Sequence, residues 1–315
     1  MDDFNEPLPG AEAYENIEIQ HFGSRLNDFY LATRRSDGVR VLLKHVQRTG
    51  DATRELSGLK RIGLSPDVVR LLGEHPSALG ETVIALEYLP HGDLRSWMDA
   101  RKDEGRPRDS AVVVAIVRSM LRAVAACHAR GVVHCDISPR NFLIKSVAEP
   151  SVVLADFGCS IVSSDSATHH AVGNVGTLWY MAPETLFGSK HYGPEVDVFG
   201  VGCIAAELLR DRPLFNGSSQ LDQICKLVET LGTPDESSWP ELATLSDWSL
   251  LEFPERTPKS PQEIFPDVDV AGDPTLTDLV ELVLDGMLTY NPAERPSAAG
   301  CLQRLERILE RTNDK

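Results

Sequence analysis

Eight residues near the middle of the chain, His134-Cys135-Asp136-Ile137-Ser138-Pro139-Arg140-Asn141, set a carboxylate and an amide five positions apart. Fifteen residues beyond Asn141 comes Asp156-Phe157-Gly158. Phosphoryl transfer asks a protein for little covalent help. It needs metal held against phosphate oxygens and an acceptor hydroxyl kept in line. Asp136 facing the hydroxyl, with Asn141 and Asp156 each offering oxygen to a metal, would meet that need, since magnesium takes oxygen ligands. Either string alone also fits an acidic turn with no chemistry. Their joint spacing, with a short strand between them, is what distinguishes the pair.

Two kinds of scaffold surround these residues. From Ile17 to about Ile84 apolar residues come in short β-branched runs. Phe29-Tyr30-Leu31-Ala32, the turn residues Ser36-Asp37-Gly38, and Val39-Arg40-Val41-Leu42-Leu43-Lys44 read as a hairpin. Over 51–62 the period changes: Leu56, Leu59 and Ile62 recur at helical spacing behind Asp51 as N-cap. Val68–Leu72 and Thr82–Leu86 read as strands. After Pro90-His91-Gly92 helices take over. Ser110–Cys127 would bury Val113, Ile116, Met120, Leu121 and Val124, and Val198–Leu209, apolar almost all round, should be central. Short strands fit 141–145 and 151–155, and further helices fit 219–230, 276–288 and 297–310. The expected class is α+β: a loose segment 1–15, a strand-rich lobe 16–90, and a helical lobe 91–315.

Composition narrows the partners. The 315 residues are 42% hydrophobic, enough for one large or two modest cores. With 47 acids against 31 Lys and Arg the formal charge is -16, which argues against a general nucleic-acid binder. The basic stretch around Arg101 and Arg106–Arg108 is interrupted by acids and reads as a solvated face. The six cysteines lack zinc-ligand spacing and read as reduced and intracellular. The acidic start Met1–Glu6 does not resemble a signal peptide, and no run of 18 apolar residues suggests a membrane span.

The central strings, extended by Ala182-Pro183-Glu184, Asp197 and Arg295, resemble a eukaryotic protein kinase over about residues 16–310. Within that superfamily the chain is similar to the cyclin-dependent group, through Thr177-Leu178-Trp179-Tyr180, Leu214-Phe215, Asp222-Gln223 and Leu231–Glu236 with Trp239. The resemblance implies a two-lobed kinase fold with an activation segment over 156–184. It also implies ATP and Mg²⁺, with Asp136 as base and Asn141 and Asp156 as metal ligands. Lys44 would reach the nucleotide phosphates, fixed by Glu55. Thr177 matches the threonine of serine/threonine kinases. Glu184 and Arg295 would form a buried ion pair, and Asp197 would brace the catalytic loop. Leu59, Leu71, His134 and Phe157 would join the lobes as an apolar stack. The backbone of Glu87 and Leu89 would bond adenine, with Leu86 behind it as gatekeeper and Leu143 as floor. Asp93 would reach the ribose or cap the next helix.

Four departures bear on activity. The family's three loop glycines fall on Phe22, Ser24 and Asn27, leaving only Gly23, one place off. Glycine matters there because backbone N–H groups must approach phosphate closely. Over the adenine slot stand Leu42, where the family has a small residue, and Phe29, where it has valine; both also suit simple core packing. Ser138 replaces the lysine that neutralises the transferring group, a loss of roughly 3 kcal/mol or ~100-fold in rate. Cys135 replaces the arginine that reads a phosphorylated loop, and Val172 and Gly173 stand where phosphothreonines would be. These last changes agree: without a receiver, loop phosphorylation has no use.

Two readings follow. One is an active, divergent serine/threonine kinase that needs no loop phosphorylation. The other is a pseudokinase that serves as a binding or regulatory module. Met181 replaces an arginine tied to proline-directed specificity. The ten residues between Lys44 and Glu55 make a short link, which argues against a cyclin partner. The expected partners are protein substrates, met as a monomer, with no nucleic acid or membrane. Likeness to cell-cycle kinases suggests nucleus or cytoplasm.

Overall fold

Short apolar runs between Tyr14 and Glu87 close into an antiparallel sheet of five strands: β1 (Tyr14–Gln20), β2 (Asn27–Arg34), β3 (Arg40–Val46), β4 (Leu71–Pro76) and β5 (Thr82–Glu87), in the order β1-β2-β3-β5-β4. The computed structural model describes residues 8–20, 27–103, 109–162, 176–189, 191, 193–268 and 272–313. Strand side chains alternate between faces, and the two faces here do different work. Tyr14, Tyr30, Ala32, Val41, Leu43, Val83 and Ala85 form a small core of their own on one face. On the other, Phe29 pairs with Lys44, Leu31 with Leu42, Leu42 with Leu86 and Lys44 with Ile84. That second face looks into the cleft.

Helix α1 (Thr49–Ile62) crosses beneath the sheet. Its N-cap is Arg48 rather than Asp51, which lies in the first turn, where a carboxylate suits the helix dipole. Gly58 lets α1 sit close: a β-carbon there would lie 2.6 Å from Ser160 Oγ. Strand β1 begins at Tyr14, inside the stretch expected to be loose. Tyr14 is buried, and its hydroxyl bonds His75 Nε2 at 2.8 Å. The strand expected at Val68–Leu72 starts only at Leu71, and Val68 instead forms a parallel bridge with Leu154 of the other lobe.

The second lobe is helical. Helices α2 (Leu94–Asp103) and α3 (Ser110–His128) lead to the short strands β6 (Val132–Val133), β7 (Phe142–Ser146), β8 (Ser151–Leu154) and β9 (Ile161–Val162). Then come α4 (Pro183–Leu186), α5 (Glu195–Arg210), α6 (Gln220–Leu231), α7 (Pro261–Ile264), α8 (Pro274–Glu281) and α9 (Ala298–Asn313). The helix expected over 276–288 ends at Glu281 and continues as a π-helical turn, Leu282–Met287. Helix α3 is long and apolar enough to cross a membrane by composition, but its apolar side is core, packed on β8, α5 and α9. Helix α5 is buried along nearly its whole length. Gly200 on α5 brings that helix against Ile137, where an added β-carbon would lie 2.7 Å from the Ile137 β-carbon. The central helix thereby becomes the floor of the loop that carries Asp136.

Candidate active site

The loop before β7 is held from below. Asp197, in the first turn of α5, accepts from the backbone N–H of His134 and of Cys135, each at 2.8 Å, and its Oδ2 lies 2.8 Å from His128 Nε2. Cys135 sits in the left-handed region at φ 65°, unfavourable for a side-chain-bearing residue. The Asp197 bonds offset that cost, and the turn presents Asp136. Burial, reinforced by the Asp197 charge, pushes the Cys135 thiol well above its ordinary value, so this position carries no charge.

Asp136 is held at both oxygens. Its Oδ1 accepts from the Thr177 backbone N–H and from Thr177 Oγ1, each at 2.8 Å. Its Oδ2 accepts from Asn141 Nδ2 at 3.0 Å, and its carbonyl accepts from the same nitrogen at 2.7 Å. Asn141 Nδ2 is thus committed to the loop, which leaves the amide oxygen as the donor atom for a metal. Ser138 is buried in the same loop and lines a cavity together with Thr177.

Across the cleft, Lys44 Nζ lies 2.7 Å from Glu55 Oε2 and 2.8 Å from Asp156 Oδ1. Lys44 and Glu55 are almost fully buried, while the Asp156 side chain is about half exposed (48%) and faces the cleft. Burial works against the Lys44 ammonium, but the Glu55 and Asp156 carboxylates outweigh it and hold its pKa above the ordinary lysine value. Burial pushes Glu55 up, with Lys44 only partly offsetting it. Asp156 is resisted by burial yet drawn by Lys44, and lies below the usual carboxylate range. Asp156 is itself left-handed at φ 61°, and its Oδ1 accepts from Gly158 N–H at 3.4 Å. Arg54 Nη1 donates to the Gly158 carbonyl at 3.0 Å, so α1 is fastened to this turn directly by Arg54 and indirectly by Glu55 through Lys44. Phe157 is buried edge-on to His134, with centroids 4.8 Å apart, and His134 Nε2 donates to the Ala155 carbonyl at 3.0 Å. Leu59 is buried on α1, and Leu71 is partly buried at the start of β4.

The remaining expected positions line the cleft between the lobes. Leu42 and Leu143 are partly buried, and Leu86 is buried. The Phe29 ring centroid lies 5.9 Å from Lys44 Nζ, so this side chain reaches toward the ammonium rather than away from the cleft. Glu87 is tied to the residue before β4: its N–H donates to the Arg70 carbonyl at 3.0 Å and its carboxylate accepts from Arg70 N–H at 2.7 Å. Leu89 N–H makes no bond to any described residue. Asp93 caps α2, accepting from Ser96 N–H at 2.8 Å and Ser96 Oγ at 3.1 Å. Phe22, Gly23, Val172, Gly173 and the serines at 163, 164 and 166 lie outside the described residues.

The family profile described as the protein kinase domain matches residues 27–305. The chain belongs to the protein kinase family. Human cyclin-dependent kinase 20 is 36% identical over 251 residues, 80% of this chain and 68% of its own length. Cyclin-dependent kinase B1-1 of Arabidopsis thaliana is 35% identical over 312 residues, covering 92% of this chain and 96% of that protein. Cell division control protein 2 homolog 3 of Trypanosoma brucei brucei is 37% identical over 286 residues, 87% and 85% of the two chains. The chain is thus a divergent kinase of the cyclin-dependent-like group. Membership implies ATP as phosphoryl donor and protein as acceptor.

Two features of this kinase's site were not legible in the spacing. The contact of Lys44 with Asp156 spans 112 positions, and no local pattern announces it. Equally hidden is a buried network under the loop: Arg95 Nη2 lies 2.6 Å from Glu207 Oε1, and Tyr180 OH donates to Glu207 Oε2 at 2.8 Å. The only available sign was an acid, Glu207, inside an apolar helix, because buried charges demand partners. The Glu184–Arg295 pair is buried and bidentate, at 2.8 and 3.1 Å. Among the described residues no cluster of three or more His, Cys, Asp and Glu would cage a metal. Asn141 and Asp156 nevertheless fit magnesium, which usually takes one or two protein oxygens and completes its shell with water and phosphate.

Proposed function

We propose that this kinase transfers the γ-phosphoryl group of ATP to serine or threonine hydroxyls of protein substrates, without activation-loop phosphorylation. The observation that carries this is the assembled polar set: Lys44 bridges Glu55 and Asp156, and Asp136 is fixed by Thr177 and Asn141. Asp136 orients the acceptor hydroxyl and takes its proton. Thr177 and Asn141 hold Asp136 in register. Lys44 positions phosphate, and Glu55 keeps Lys44 from swinging away. Asn141 and Asp156 would hold Mg²⁺, which when bound neutralises charge on the phosphate oxygens. Leu42 and Phe29 above and Leu143 below would sandwich adenine, with Leu86 behind and the Glu87–Leu89 backbone at its edge. Ser138 offers a hydroxyl in place of a charge.

The uncharged Cys135 supports independence from loop phosphorylation. Arg54, bonded within the chain to Gly158, supports an α1 that needs no cyclin to stay inward. Accordingly the kinase acts as a monomer, in the nucleus or cytoplasm, with no requirement for proline after the acceptor.

A second reading, a pseudokinase that binds partners through the same fold, is favoured by the Phe29 ring lying over Lys44. Nucleotide binding in millimolar Mg²⁺ separates the two. The active reading expects binding by the parent that weakens in Asp156→Asn, and transfer abolished in Asp136→Asn. Absence of nucleotide binding by the parent would refute it.

A further inference from the structure

A cavity of about 450 Å³ opens beside Asp136, between α2, the start of α3, the catalytic loop and the end of α5. Ser138 and Thr177 form its inner wall, so a substrate whose hydroxyl reaches Asp136 must pass its neighbouring residues over this mouth. In an extended chain successive residues advance about 3.3 Å, so a few residues span such a space.

The charged groups lining the cavity are equal in number but not in availability. The anions Glu207 and Asp99 are engaged by Arg95, at 2.6 and 3.2 Å. Asp109 caps α3, accepting from the N–H groups of Ala111 and Val112, and Asp211, which ends α5 in the left-handed region at φ 55°, is also engaged. Arg101 lies on the Trp97 ring at 4.7 Å. Two cations are left. Arg140, exposed and in the same loop as Asp136, pairs with none of the described residues, and neither does Lys102 on the opposite rim. Positive charge unpaired among the described residues, at the mouth of an otherwise acidic protein (-16 overall), is a local departure. It lies beside the loop that carries Asp136.

We propose that this cavity selects substrates with Asp or Glu near the acceptor Ser or Thr, and that Arg140 is the specificity-determining residue that receives the carboxylate. Arginine suits the task because its planar fork matches a carboxylate at two oxygens. The inference rests on the kinase reading above.

The test uses the full chain and synthetic peptides with a central Ser, flanked by Ala with either Asp or Lys pairs. The readout is the ratio of kcat/KM for acidic over basic peptides, alongside direct binding of Ala-centred versions by fluorescence anisotropy. The parent should favour acidic peptides by about tenfold, with the preference shrinking at high salt. Arg140→Glu should bring the ratio below one, and Arg140→Lys should keep most of it. A parent ratio near or below one, or an unchanged ratio in Arg140→Glu, overturns the proposal while leaving the kinase reading intact. Acidic peptides that bind through Arg140 but are never phosphorylated overturn the kinase reading and support the acidic site. Neither transfer nor binding overturns both.

Discussion

Thr177→Val isolates one bond at the base. Thr177 makes two contacts to the same oxygen, Asp136 Oδ1, one from its N–H and one from its hydroxyl, each at 2.8 Å. Valine keeps the shape and the backbone contact, and removes only the hydroxyl. A hydrogen bond to a charged group is worth about 1.5–3 kcal/mol when shielded. Thr177 is exposed, so the smaller end applies, and the surviving N–H reduces it again. The net loss should be about 1 kcal/mol in the transition state, or roughly 5-fold in kcat. Steady-state ADP release with a protein substrate at saturating ATP measures it, with thermal melting as a check on folding. The KM for ATP should stay within about twofold, because Thr177 only orients the base. Thr177→Ser restores the hydroxyl and should restore the rate. A kcat unchanged in Thr177→Val, or one that Thr177→Ser fails to restore, would refute the positioning role.

Leu42→Ala should tighten ATP binding by about 1–3 kcal/mol, or roughly 5- to 150-fold, if the half-buried leucine crowds the adenine slot; an unchanged Kd by calorimetry would count against crowding. Ser138→Lys, with the cavity beside it to receive the longer chain, should raise kcat by ~100-fold through charge on the transferring group; no gain in a folded variant would show that the missing charge does not limit the rate. The ion pair also has a pH signature. Asp156 titrates below its unfolded value, so its stabilisation is present above about pH 4 and is lost as pH falls through the folded value. Lys44 titrates above its unfolded value, so its share is full below about pH 10 and is lost as pH rises through the folded one. The stability advantage of the parent over Asp156→Asn, measured by urea unfolding, should therefore shrink below pH 4; an advantage that instead grew on acidification would contradict the pairing.

The two-lobed architecture was legible because it rests on local periodicity. Short apolar, β-branched runs bounded by turn residues marked β2, β3 and β5, and the all-round apolar stretch 198–209 marked the central helix. Tyr14 escaped because its strand is only half covered: Glu15, Glu18 and Gln20 give it a polar look, while one tyrosine holds it to the core through His75. Leu282–Met287 looked helical because a π-helical turn keeps apolar spacing while changing its hydrogen bonds. The polar site residues were recognisable from motif spacing, yet their partners were not. Whether Lys44 would meet Asp156 depends on an approach between segments that periodicity does not encode. Phe29 shows the same limit: its type suggested a crowded roof, but only geometry shows the ring directed at the ammonium.

Gly58 gives the joint between the lobes an unusual basis. Helix α1 is seated against Ser160 and Phe157 because one methyl group is missing. An added methyl group would displace the Ser160 hydroxyl and press α1 outward from that seat. The residue exerts this hold although it bears no charge and touches no substrate. The same property makes it a switch for the experimenter, one that would loosen the lobes while leaving every polar group of the cleft chemically intact.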